Sequence, residues 1–236
     1  MSTNIDDIMK NSSMAVDSSA SAQQAFMQKI YAWMVGGLLL TAATAWLTLN
    51  VEIIAETVFR TYWMLFLGEL GLVFFLSARI EKMSVTTAQI MFAVYSALNG
   101  LTLGMIFFSY TLESISTVFL ITAGTFGATS LYGYVTKRDL TSIGSFMFMG
   151  LIGIIIASVV NIWLQSSALY FAVSVIGVLV FVGLTAYDTQ KFKSMYEVEL
   201  QSPERAAKIA IIGALNLYLD FINMFLFILR LLGSRR

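Results

Sequence analysis

Seven apolar runs, each at least eighteen residues long, divide this 236-residue chain at about 30–49, 61–78, 88–109, 115–136, 142–164, 168–188 and 209–229. At roughly 1.5 Å of rise per residue, runs of this length cross the ~30 Å hydrocarbon core of a bilayer as helices. Only short polar stretches separate them, so residues 25–236 read as one all-α, polytopic domain of seven transmembrane helices. Residues 1–24 are rich in Ser, Ala, Asp and Asn and read as a disordered cytoplasmic tail. They lack the charged and apolar regions of a cleaved leader. No internal repeat of the kind built into many transporters is evident.

The seventh run breaks the pattern. It reads IAIIGALNLYLDFINMFLFIL, with Asp220 near its middle. Gly213, Asn216, Asp220, Asn223 and Arg230 recur at steps of three, four or seven, which places them on one face of a helix. Leu, Ile, Phe and Met fill the other faces. Such a polar seam turns toward a bundle interior, because a charge facing lipid is costly.

Composition agrees with a membrane protein. The chain is 58% hydrophobic and 12% charged, with a single proline and a mean hydropathy of +0.80. It contains no cysteine and no histidine. Disulfides and thiolate chemistry are therefore excluded, and any pH sensing near neutrality falls to carboxylates. A net charge of zero without a basic block argues against a nucleic-acid partner.

Lysine and arginine set the orientation. Lys10, Lys29, Arg79, Lys82, Lys137, Arg138, Lys191, Lys193, Arg205 and Lys208 fall on one set of loops, against Arg60 alone on the other. The N-terminus is thereby assigned to the cytoplasm. Seven crossings then place Arg230, Arg235 and Arg236 outside, against the rule; a re-entrant last span is the alternative, and crossing is the favoured reading. Gly124 and Ala128, Thr129 and Gly133, and Gly153 and Ala157 stand four apart, a spacing that suits close helix packing.

The candidate functional residues are the ionisable ones within or beside spans: Glu69, Arg79, Asp188 and Asp220. Each acid has two readings, a hydrogen-bonded group knitting helices together or a functional site, and Arg79 reads equally as a snorkelling anchor. Two adjacent carboxylates cannot both ionise cheaply, so a close Asp188–Asp220 pair would titrate as a unit. Carboxylates together with the amide oxygens of Asn216 and Asn223 form a hard ligand set suited to Ca²⁺. A pH-gated cation path is one reading. Intramembrane proteolysis by two aspartates is another, but Leu217, Tyr218 and Leu219 precede Asp220 where that chemistry calls for a glycine.

Residues 177–193, GVLVFVGLTAYDTQKFK, and 213–233, GALNLYLDFINMFLFILRLLG, resemble the Bax-inhibitor (TMBIM, lifeguard) family, as do KIYAWMVGGLLLTA, YSALNGLTLGMIF and SLYGYVTKRDL earlier on. The resemblance runs from about residue 25 onward and is closest to the bacterial inner-membrane branch. It implies a seven-helix fold with the last helix central, and a pH-sensitive Ca²⁺ leak channel rather than an enzyme. By motif it implies a pore and sensor pair at Asp188 and Asp220, which would also hold Ca²⁺ transiently. It further implies an acid in the second helix, matched by Glu69, and an arginine, matched by Arg79, that pairs with the YD aspartate in the shut pore. No tightly bound cofactor is expected. The partners implied are the lipid bilayer, Ca²⁺ and protons. A second function stays open: a non-conducting membrane protein that modulates a membrane protease or other complex.

Overall fold

The computed structural model describes the backbone of residues 5–199 and 202–236, and side-chain surroundings for residues 21–196 and 202–236. Among the described residues seven α-helices follow one another: α1 (Ile5–Asn50), α2 (Glu52–Arg79), α3 (Val85–Phe107), α4 (Leu112–Val135), α5 (Thr141–Leu164), α6 (Ser167–Glu199) and α7 (Pro203–Leu232). A 3₁₀ turn, Ile80–Lys82, links α2 to α3. Each helix holds a stretch long and apolar enough to cross a membrane, and all seven expected spans are present. The tail expected over residues 1–24 is different. Residues 1–4 lie outside the described part, and from Ile5 the backbone is already helical and continuous with α1. With no proline or glycine before Gly36, the sequence holds no helix breaker there.

Local signals fix the helix ends. Ser202 caps α7 by accepting the Arg205 N–H (3.3 Å), with Pro203 in the first turn. Thr111 caps α4 through the Ser114 N–H (3.2 Å). Before α5, Asp139 accepts from the Thr141 hydroxyl (2.6 Å) and N–H (2.9 Å). These two bonds hold its carboxyl below the usual carboxylate range.

The last helix sits at the centre. In α7, 72% of the apolar stretch is buried, against 11% in α2 and in α5. It packs against α1, α3, α4 and α6. Aromatic side chains hold it on two flanks. The Tyr218 ring stands edge-on to Phe92 and Tyr95 of α3 (5.8 Å each), and Phe221 to Phe119 and Phe126 of α4 (5.5 Å each). The two ends of α7 meet opposite ends of the bundle. Lys208 Nζ donates to Glu81 O beside the α2–α3 turn (3.2 Å). The tail beyond Leu232 lies on the α3–α4 loop through Thr111 N to Ser234 O and Arg236 N to Ser109 O (3.1 Å each). The helix therefore crosses the full bundle and does not turn back.

Of the small-residue pairs, one is a contact. A Cβ on Gly133 would run into the Ala186 backbone of α6, so glycine sets the α4–α6 approach there. Gly124 and Gly153 face open space on the outside of the bundle, where lipid adapts to them and no helix does. The closest additional approach is Gly100 of α3 against the Thr41 backbone of α1. These facts yield a paired prediction. Gly133→Val should lower stability by about 1–3 kcal/mol through overpacking, while Gly124→Val should stay within about 0.5 kcal/mol. Thermal unfolding in detergent measures both, and equal losses would contradict the packing described.

Candidate functional site

The end of α6 carries TAYDTQKFK, and a helix turns about 100° per residue, so neighbouring side chains meet different surroundings. Asp188 points inward and is buried, lining one cavity with Asn216 of α7 and with Lys191 one turn further along α6. Thr189 faces the opposite side, where its hydroxyl meets those of Ser130 (3.0 Å) and Tyr31 (3.4 Å). Gln190 clamps the α4–α5 connection, accepting from Leu140 N and donating to Arg138 O (2.8 Å each). Lys193 donates to Tyr134 O (2.8 Å). Thr189 and Lys193, one turn apart, hold α6 to α4, Gln190 holds it to the α4–α5 connection, and Asp188 stands on the side left free.

Asp220 lies across from it on α7, close enough for the two carboxylates to interact electrostatically. It is 5% exposed, and among the described residues its Oδ2 has no hydrogen-bond partner. Both acids line one cavity of about 1050 Å³, walled by α2, α3, α5, α6 and α7. Along α7 the cavity follows Asn216, Asp220, Asn223 and Arg230, a span of about 21 Å at 1.5 Å per residue. It reaches through most of the hydrocarbon thickness.

Glu69 reaches the same cavity from α2. Its Oε1 accepts from the Thr102 hydroxyl (2.9 Å) and its Oε2 from Asn99 Nδ2 (3.1 Å). Asn99 Oδ1 in turn accepts from the Tyr218 hydroxyl (2.9 Å), which lies 2.6 Å from Thr41 Oγ1. The chain Tyr218–Asn99–Glu69 runs in one direction toward the carboxylate and ties α7, α3 and α2 together, while the Thr41 hydroxyl of α1 touches its Tyr218 end and donates to Ser96 O of α3 (2.8 Å).

Six residues singled out in the sequence therefore line one cavity: Glu69, Asp188, Asn216, Asp220, Asn223 and Arg230. Arg79 does not join them. It is exposed at the end of α2, lines no part of the cavity and forms no ion pair with Asp188. The reason is register: α2 ends at Arg79 and the chain turns into the 3₁₀ segment at the bundle's edge, whereas Lys191 shares a helix face with Asp188. Gly213 also leaves the seam, since it packs against Ile30 of α1. Sequence reading missed Lys191, Tyr218, Asn99 and Thr102. Two polar residues three apart inside the third apolar run were the available signal for Asn99 and Thr102. Among the described residues, no group of three or more acid side chains converges as a metal site. The cavity offers two close carboxylates and amide oxygens.

The model of a family described as inhibitor of apoptosis-promoting Bax1 matches residues 23–236. The chain is 52% identical over 217 residues to the inner membrane protein YbhL of Escherichia coli K12, covering 90% of this chain and 93% of that protein. It is 48% identical over 213 residues to the uncharacterized protein RP147 of Rickettsia prowazekii, covering 89% and 90%. A membrane protein of Streptococcus pyogenes serotype M1 is 37% identical over 213 residues, covering 88% and 92%.

The hydroxyl chain carries its own test. Tyr218→Phe keeps the aromatic packing but leaves Asn99 Oδ1 without its donor, at an expected cost of about 1 kcal/mol for one buried hydrogen bond. Unfolding in detergent should register that loss. A variant as stable as the wild type would mean the chain contributes nothing to holding α1, α3 and α7 together.

Proposed function

The chain belongs to the family of the inhibitor of apoptosis-promoting Bax1, and from that membership we propose that it is a pH-sensitive Ca²⁺ leak channel of a bacterial inner membrane. The observation that carries the reading is the pair Asp188 and Asp220, both buried and both lining a largely apolar cavity that follows α7 from Asn216 to Arg230. Oxygen ligands of this type favour a hard divalent cation. A site with two carboxylates and a half-exposed lysine beside one of them has too few ligands for a tight cage, which suits an ion that must also leave. Protons compete for the same oxygens. Two like charges in one low-dielectric site hold a proton between them, and adding or removing it changes the cavity's charge. The N-terminus and the α6–α7 loop are assigned to the cytoplasm on the lysine and arginine bias.

The decisive measurement is Ca²⁺ flux into liposomes carrying the purified protein alone, across a pH series. Wild-type protein should conduct, and Asp188→Asn and Asp220→Asn should each flatten the pH response. The double variant should add little to either, because the titration belongs to the pair. Folded wild-type protein that passes no ion would overturn the channel and favour a non-conducting membrane protein that binds other membrane components. Full pH response in both single variants would remove the pair as sensor and leave Glu69 as the next acid to test.

Orientation is checked separately in this cysteine-free background. Glu113→Cys in the first turn of α4 should react with an impermeant maleimide in intact cells, and Ser194→Cys near the end of α6 only after permeabilisation. Both positions are exposed. The reverse pattern would invert the assignment.

A further inference from the structure

A second cavity, of about 610 Å³, lies at the end of the bundle where α7 finishes. Its walls bring together Arg230, Arg235 and Arg236 with Tyr110, Tyr170 and Ser109. These are the same three arginines that run against the charge bias of the loops. The fold assembles them deliberately. At Gly233 a Cβ would collide with the Tyr110 ring and the Leu229 carbonyl, so glycine lets the tail turn onto the α3–α4 loop. There Ser234 N donates to Ser114 Oγ (2.9 Å), and Arg235 pairs with Tyr110 in a single antiparallel bridge. Arg235 lines the cavity together with the phenol side chains of Tyr110 and Tyr170. The Arg230 guanidinium lies over the Tyr170 and Phe227 rings, at 5.7 and 5.3 Å from their centroids.

None of the three is ion-paired. Among the described residues the ion pairs are Arg60 with Glu56 and Lys208 with Glu204, both elsewhere. Glu113, the acid in the first turn of α4, is exposed and does not line the cavity. The Tyr170 and Phe227 rings orient the Arg230 guanidinium without neutralising it. Three fixed positive charges around one concave space repel one another, and an oxyanion relieves that repulsion while accepting forked hydrogen bonds. We propose that Arg230, Arg235 and Arg236 form a binding site for a phosphate-type oxyanion at this end of the bundle. The phosphate belongs either to a lipid headgroup, since the cavity lies at the level where the spans end, or to inorganic phosphate in solution.

The test uses the full chain in nanodiscs. In one arm, phosphatidylcholine discs are titrated with inorganic phosphate and binding is followed by ³¹P NMR. In the other, discs contain phosphatidylglycerol with phosphatidylcholine, and native mass spectrometry counts which lipid stays on the released protein. Saturable phosphate binding, or retention of phosphatidylglycerol over phosphatidylcholine, is expected in one arm, and the arm that responds identifies the source. Arg235→Gln with Arg236→Gln should weaken it by about tenfold or more, because charge-assisted bonds to phosphate are lost. Lys137→Gln with Arg138→Gln, which removes equal charge at the opposite end, should leave it unchanged. If the glutamine variant fails to fold, Arg235→Lys with Arg236→Lys decides: charge is kept, the fork is lost, and affinity should fall several-fold. Binding in neither arm overturns the site. So does an equal loss in the Lys137/Arg138 control, which would reduce the effect to net charge. All of these readouts are independent of ion flux, so they stand or fall apart from the channel reading.

Discussion

A carboxylate has no tolerable place against lipid tails, and the architecture of this protein follows from that constraint. Glu69, Asp188 and Asp220 all lie within apolar helices, and all three are buried away from the bilayer. Placing Asp220 inside requires α7 to be surrounded, so four other helices pack around it. Placing Asp188 beside it requires α6 to be locked in rotation. The contacts of Thr189, Gln190 and Lys193 accomplish that on the side of the helix away from the acid.

The three acids are not treated alike. Glu69 receives two side-chain donors, and one of them is backed by a relay of hydroxyl and amide groups reaching α1. Asp188 has an amide and a lysine near it. Asp220 has one oxygen without a protein partner, facing the charge of Asp188. Solvation by the protein thus declines from Glu69 to Asp220. The least compensated group is the most responsive to an arriving proton or cation, because its interaction with either is not offset by the loss of existing bonds. An acid held by strong donors is a structural fixture. One left half-satisfied is poised for exchange.

The spans were legible because the hydrocarbon thickness imposes a length and a composition on each of them. The seam of α7 was legible for a related reason: Asn216, Asp220 and Asn223 are conspicuous on an apolar background, and 3.6-residue periodicity puts them on one face. What the sequence does not reveal is which polar groups on different helices meet. Tyr218 sits between Leu217 and Leu219 and looks like any membrane tyrosine until Asn99 of α3 is placed opposite it. Arg79 and Lys191 are both basic residues at helix ends, and only the register of α2 against α6 distinguishes the exposed one from the one beside Asp188. Small residues four apart were ambiguous for the same reason, since Gly133 meets α6 while Gly124 meets nothing. Periodicity assigns a face to each helix but does not assign the neighbour.

The helix that α1, α3, α4 and α6 surround is made after the other six. Six helices enter the membrane before α7 exists, and the surfaces it will cover, including Phe92, Phe119 and Phe126, must wait in lipid or against one another. Its own Asn216, Asp220 and Asn223 are poorly suited to remain in lipid alone, so its insertion and its docking are in effect one event. The bundle is therefore closed from within, by a final element that arrives after its shell. Until α7 is made, the other six helices form an apolar set that lacks the acid pair, so the site exists only once this helix has docked.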